Sequence, residues 1–207
     1  MIQSRRDFLK NAGKVAVAAS VATVLPMGAL AEKAEHPFPW THLDPEATAD
    51  RAYASFTSMG GCCIAVADAI IGQLGETVGA PFDGIPVKMF QNGAAGYGQN
   101  SLCGCLGGAA AAIGLVCEAA DSRACLKEVM DWYKTSSVPT YDRGSAPAVA
   151  QVVPGSTECR DSLMEFFKAV PEINYDMKHP DRINRCACLT ADVARKTVEV
   201  LNAKFGV

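Results

Sequence analysis

The sequence contains no C-x-x-C spacing, which removes the thioredoxin-type redox motif and the paired ligands of zinc ribbons. C-x-x-C-H is missing as well, so haem has no covalent attachment point, and none of the ferredoxin cysteine runs occurs. Histidine is scarce, with only His36, His42 and His179, and aromatic residues make up 7% of the chain. No nucleophile motif, phosphate-cradling loop or close His/Asp pair is present to suggest hydrolysis or nucleotide chemistry. Positive charge is not in excess: the formal net charge is -3, which offers no electrostatic basis for binding nucleic acid or anionic lipid. No period-two alternation persists and no internal repeat is evident, so neither a sheet nor a solenoid is indicated.

What is present begins with an export signature. The opening "SRRDFLKNAGKVAVAASVATVLPMGALA" has a basic head at Arg5 and Arg6, an apolar stretch from Val15, and a small-residue ending at Ala29-Leu30-Ala31. Ser4 to Lys10 fits the twin-arginine pattern S-R-R-x-F-L-K, which implies export of an already folded protein into the periplasm, the usual reason being a cofactor inserted beforehand. The apolar run is short and contains Pro26, so a permanent membrane span is not expected. Residues 1–31 are therefore taken as the signal. Its removal leaves 15 basic against 21 acidic residues, a charge of -6. Residues 32–47, rich in proline and polar side chains, are expected as an extended lead-in, and 48–207 as one cysteine-rich domain with a real core.

All nine cysteines follow the signal. An exported protein can hold disulfides, but an odd number cannot pair completely, and a domain of this size does not need staples. Metal or cluster ligation is favoured, with a disulfide scaffold and a metal-free thiol redox centre as the other readings. Three groups are close pairs: Cys62-Cys63, Cys103-x-Cys105 and Cys186-x-Cys188. Each lies near the first part of a predicted helix or just after a glycine pair, where backbone amides favour the thiolate that soft metals and iron–sulfur clusters bind.

Helical spacing predicts an all-α bundle of four or five helices. They comprise a segment from about residue 49 to 76 broken at Gly60-Gly61, an Ala-rich helix from about Cys105 to Glu118, and an amphipathic one capped by Asp121. Two more start at Ser156 or Thr157 and after His179, and "PVKMFQNGAA" allows a short helix from Pro86. The uncharged run "CGCLGGAAAAIGLVC" reads as buried on all sides. Gly107 and Gly108 there suit either tight packing or room for a bulky cofactor. Facing helices of a bundle can each supply a ligand to an internal site. Cys117 and Cys125 are expected as buried apolar side chains with a side chance of a disulfide between them, and the three histidines as exposed. Trp132, Tyr133, Met89 and Phe90 read as packing, and Asp68 and Glu76 as isolated acids without a catalytic partner.

Beyond this the residues do not choose a cofactor. "GGCCIAVADAIIGQL" (60–74), "CGCLGGAAAAIGL" (103–115), Cys159 in "STECRDS" and Cys186 in "NRCACLTADVARKTVEVLN" resemble the redox-active family named for its C-GCAxxG-C-C cysteine pattern. Within it, the match looks closest to the bundle portion of split-Soret cytochromes and runs from about Arg51 to Asn202. The resemblance implies four family cysteines, Cys62, Cys103, Cys159 and Cys186, as ligands of a two-iron or four-iron iron–sulfur cluster. Cys63, Cys105 and Cys188 are secondary candidates, with Cys105 standing where the family motif has Ala. It also implies an electron carrier working with a redox partner protein, rather than a substrate-converting enzyme, and a homodimer contacting through the Gly/Ala-rich helix. The loop "RGSAPAVAQVVPGSTECRDS" lacks the relatives' haem-attachment run, so covalent haem is not carried over. A haem-containing carrier, with non-covalent haem on His42 or His179, stays as an alternative. So do a thiol–disulfide redox protein or sensor using Cys62-Cys63, and a zinc or copper binder.

Overall fold

A computed structural model describes residues 34–143 and 148–207; the export signal expected over 1–31 lies outside them. Among the described residues the fold is all-α, with only two isolated β-bridges, Leu102↔Glu158 and Val138↔Val152. Helix α1 spans Pro45–Met59, started by Asp44, whose carboxylate accepts from Ala47 N at 2.8 Å, and by proline at its first position. It ends at Gly60, whose φ of 86° is the left-handed cap glycine adopts without strain.

After Gly61 the chain continues as one rod over 62–78. It comprises α2 (Cys62–Ala67), a π-turn (Asp68–Gly72) and α3 (Gln73–Val78). The π-turn surrounds an ion pair that the sequence does not reveal. Arg51 of α1 donates to Asp68 at 3.0 Å and to Glu76 at 2.6 Å, so the two acids are partnered rather than isolated. Gly72 makes room for the pair, since a methyl there would lie 2.7 Å from Asp68 Oδ1.

The remaining helices are α4 (Gly104–Val116), α5 (Ala119–Thr135), α6 (Cys159–Ala169) and α7 (Pro180–Phe205). Splitting the first predicted segment at the glycine pair makes six rods among the described residues, one more than the upper expected count. Helix α5 begins two residues before Asp121, which instead pairs with Lys204 at 2.7 Å. Helix α6 begins at Cys159 because Ser156 works from further out, its hydroxyl accepting from Glu158 N at 2.9 Å. The segment from Pro86 forms a 3-10 turn over Val87–Gly93.

The long α7, about 39 Å at 1.5 Å per residue, is the axis on which the bundle is assembled. Its stripe Leu189, Val193, Val198 and Leu201 is buried with Ile70, Leu74, Leu106, Ile113 and Val129 in one core. Ahead of α1 the chain is strapped onto this bundle. Phe38 N donates to Leu115 O at 2.8 Å, Trp40 Nε1 donates to Asn202 Oδ1 at 3.1 Å, and Asn202 Nδ2 donates to Leu43 O at 2.9 Å.

Candidate metal centre

Four elements deliver cysteine to one place. Cys62 opens α2, directly after the two glycines. A methyl on Gly61 would sit 2.7 Å from the Ala94 side chain, so glycine lets the 94–95 backbone close over this helix start. Cys103 caps α4 and Cys159 opens α6. These two starts are tied together backbone to backbone: Cys103 N donates to Thr157 O at 2.9 Å and Cys159 N donates to Ser101 O at 2.6 Å. The short bridge thus sets side by side two thiols that lie in separate predicted helices. Cys186 comes from the second turn of α7 rather than from a helix start.

Cys62, Cys103, Cys159 and Cys186 all line a single cavity of about 320 Å³, together with Cys105, Arg182 and Arg185 and an apolar wall that includes Phe56, Leu163 and Leu189. Cys103, Cys105 and Cys159 are buried, while Cys62 and Cys186 are half-buried. Among the described residues, neither Asp nor Glu lines it. Cys103 Sγ contacts the thiols of both Cys105 and Cys159, and Cys62 and Cys186 line the same cavity.

The secondary candidates separate cleanly. Cys105 shares the cavity, with its Sγ 3.3 Å from Cys103 Sγ. Cys63 is turned away by its one-residue step round the helix and lies against Gly93, Gly107 and Tyr97. Cys188, two residues and therefore about 200° round the helix from Cys186, packs with Ala49, Tyr141 and Ala191. Cys62 and Cys63 thus face different surroundings, which removes the geometric support for a redox disulfide between them. A methyl on Gly108 would meet Cys63 O at 2.6 Å and Val66 Cβ at 2.8 Å, and one on Gly107 would strike Tyr97 Oη. Both glycines serve tight packing and neither faces the cavity. Cys117 and Cys125 are buried and free.

His42 and His36 are exposed, the latter contacting Gly114 O at 2.6 Å, and His179 caps α7 by accepting from Asp181 N at 3.3 Å. None lines the cavity. Met89, expected as packing, is 63% exposed, whereas Phe90 is packed on the core.

Electrostatics divide the thiols. Donation from Cys105 and Cys159 holds the Cys103 thiol well below its ordinary value, against the opposing effect of burial, with Tyr133 and Arg185 adding to the lowering. Cys159 is pushed up chiefly because it donates to Cys103, and Cys62 and Cys105 chiefly by burial. A metal bound here would supply positive charge that favours the thiolate form of its ligands.

The polar atoms around the cavity point the same way. On the cavity wall, Arg182 Nε and Arg185 Nε are buried without a hydrogen-bond partner. The donor set of soft thiols, cationic neighbours and no carboxylate fits a thiolate-ligated iron–sulfur group. Sequence reasoning treated Tyr133 as packing and did not single out Arg185. An arginine inside an amphipathic pattern signals an exposed face, and only the burial of this one distinguishes it.

The family model described as "Putative redox-active protein (C_GCAxxG_C_C)" matches residues 62–200. Split-Soret cytochrome c from Desulfovibrio desulfuricans is 31% identical over 170 residues, covering 79% of this chain; the chain spans 60% of that relative's length. A solved structure of the split-Soret cytochrome c from Desulfovibrio desulfuricans ATCC 27774, described as containing a novel iron centre, has a TM-score of 0.75 and 28% identity. That match covers 82% of this chain and 72% of the solved one. Four separated cysteines on one cavity, a matching model over most of the domain and a shared fold make this chain a member of the C_GCAxxG_C_C redox-active family.

Proposed function

We propose that the protein is a periplasmic electron carrier, exported folded through the twin-arginine pathway, whose bundle holds an iron–sulfur cluster on Cys62, Cys103, Cys159 and Cys186. The observation that carries this reading is the convergence of those four thiols, each from a different helix, on one carboxylate-free cavity. When bound, such a cluster supplies a centre that gains and loses electrons at a potential set by its surroundings. The chain's own residues do the rest. The bridge between Leu102 and Glu158 fixes the spacing of Cys103 and Cys159. Phe56, Leu163 and Leu189 exclude water, and the buried guanidinium of Arg185 offsets thiolate charge. The role proposed for the protein is to hand electrons to a partner protein.

A haem-carrying alternative has less support, because the 207 residues contain no C-x-x-C-H and no histidine faces the cavity. The thiol–disulfide alternative gains one specific observation, the 3.3 Å approach of Cys103 and Cys105. Anaerobic purification followed by iron and acid-labile sulfide analysis separates these readings. Coloured protein containing both elements is the expected result, and colourless protein with neither, but with freely titrating thiols, overturns the proposal.

A further inference from the structure

Arg185 is 1% exposed, and it heads the largest fully buried side chains among the described residues. Its Nη2 donates to Ser162 Oγ at 2.7 Å, and the guanidinium lies 5.6 Å from the centre of the Phe166 ring. Its Nε has no partner, and no Asp or Glu is paired with it among the described residues. One turn earlier on α7, Arg182 borders the same cavity, also with a buried, unpartnered Nε. A guanidinium cannot shed its proton to escape burial, so an arginine removed from water and left without a carboxylate calls for another anion. The titratable groups facing Arg185 are Cys186, Tyr133 and Cys103, and its guanidinium also donates a hydrogen bond to the Cys186 thiol.

We propose that Arg185 is the counter-cation of this cavity, favouring a net-anionic thiolate-ligated group and raising that group's reduction potential through charge rather than by ligation. This rests on the function proposed above. Four thiolates bring more negative charge than the iron–sulfide core they ligate offsets, and each electron added makes the group more negative. A fixed positive charge beside the group therefore stabilises the reduced form more than the oxidised one. Arg185 is a positioning residue whose effect should follow its charge. Loading the cavity and burying Arg185 should also be linked energetically, because the anion that occupies the site relieves the arginine's desolvation.

The test compares wild type, Arg185→Met and Arg185→Lys, purified without oxygen and titrated with reductant while absorbance is followed. Iron and sulfide are assayed in parallel, and melting temperatures are taken with and without iron. Arg185→Met is expected to move the reduction equilibrium toward the oxidised form by at least about tenfold, about 59 mV for a one-electron couple, with Arg185→Lys recovering most of that shift. The rise in melting temperature on loading should shrink in the Met variant and return with Lys. An unchanged potential in iron-loaded Arg185→Met overturns the proposal. If the Met variant cannot hold iron, retention by the Lys variant supports the charge role, and equal failure of both overturns it. Wild-type protein lacking iron and sulfide overturns the parent function as well, which keeps the two failures distinguishable.

Discussion

Cys103 Sγ and Cys105 Sγ lie 3.3 Å apart at the foot of α4, both inside the cavity that Cys62, Cys159 and Cys186 also line. The contact arises because Cys103 is the cap of α4 and has not yet entered the helix, so the residue two positions on can share its side. In the C-x-C pairs and vicinal pair of this chain, it is the one that places both sulfurs on the cavity. A fifth thiol is therefore present where the family motif has Ala.

Mild oxidation of iron-free protein should join Cys103 to Cys105 rather than Cys62 to Cys63. Peptide mapping by mass spectrometry should find the C-x-C crosslink, and Cys105→Ala should abolish it. The same variant is expected to keep the iron content of wild type, since the four family cysteines remain. Loss of iron in Cys105→Ala would instead make Cys105 a ligand.

Serine at Cys62, Cys103, Cys159 or Cys186 should reduce bound iron by about tenfold or more, a loss at the lower end of what disturbing even an outer-shell partner of a metal site produces. Cys188→Ser should leave iron in place while costing about 1–3 kcal/mol for burying a hydroxyl among Ala49, Tyr141 and Ala191. His42→Ala and His179→Ala should change neither iron nor the absorbance spectrum. Iron and sulfide assays together with urea unfolding distinguish these outcomes.

A pair of glycines in one helix should behave oppositely. A methyl on Gly104 would collide with the Gly93 carbonyl oxygen and stand 2.5 Å from Cys62 Sγ, so Gly104→Ala should cost about 1–3 kcal/mol and lower iron content with it. Gly114 has nothing within 4 Å of the same position, and Gly114→Ala should stabilise the helix by about 0.5–1 kcal/mol without altering iron. Denaturant midpoints and metal analysis of the two variants test both halves.

Alkaline stability should report on Cys117. Burial first, and then the neighbouring Cys125, push its thiol from 9.0 up to about 11. A raised folded-state value means the unfolded chain ionises first, so the contribution is complete below about pH 9 and is lost as pH rises through about 11. Urea midpoints measured across that window should fall, and Cys117→Ala should flatten the fall. An identical slope in the variant would assign the effect to other groups.

The helical content was legible because apolar residues recur at helical spacing, but α1 starts at Pro45, inside the stretch expected as an extended lead-in, because Asp44 caps it and proline suits its first position. The break at Gly60-Gly61 was legible too. The starts of α5 and α6 were not, since Ser156 acts on Glu158 N from outside the helix and Asp121 is taken up by Lys204, whereas the start of α7 after His179 was. Pairing of Arg51 with Asp68 and Glu76 was invisible for the same reason: the partners are far apart in sequence and meet only when α1 packs on the following rod.

By itself, the sequence determined that this is an all-α, cysteine-rich chain of the C_GCAxxG_C_C family, because periodicity and cysteine spacing are properties of the linear order. Only the tertiary structure decided that Cys105 faces the cavity while Cys63 and Cys188 turn away, and that Arg185 is buried beside the thiols without a carboxylate. The direction of a side chain depends on how each helix is rotated against its neighbours. The cost of burying a charge depends on what those neighbours bring to it.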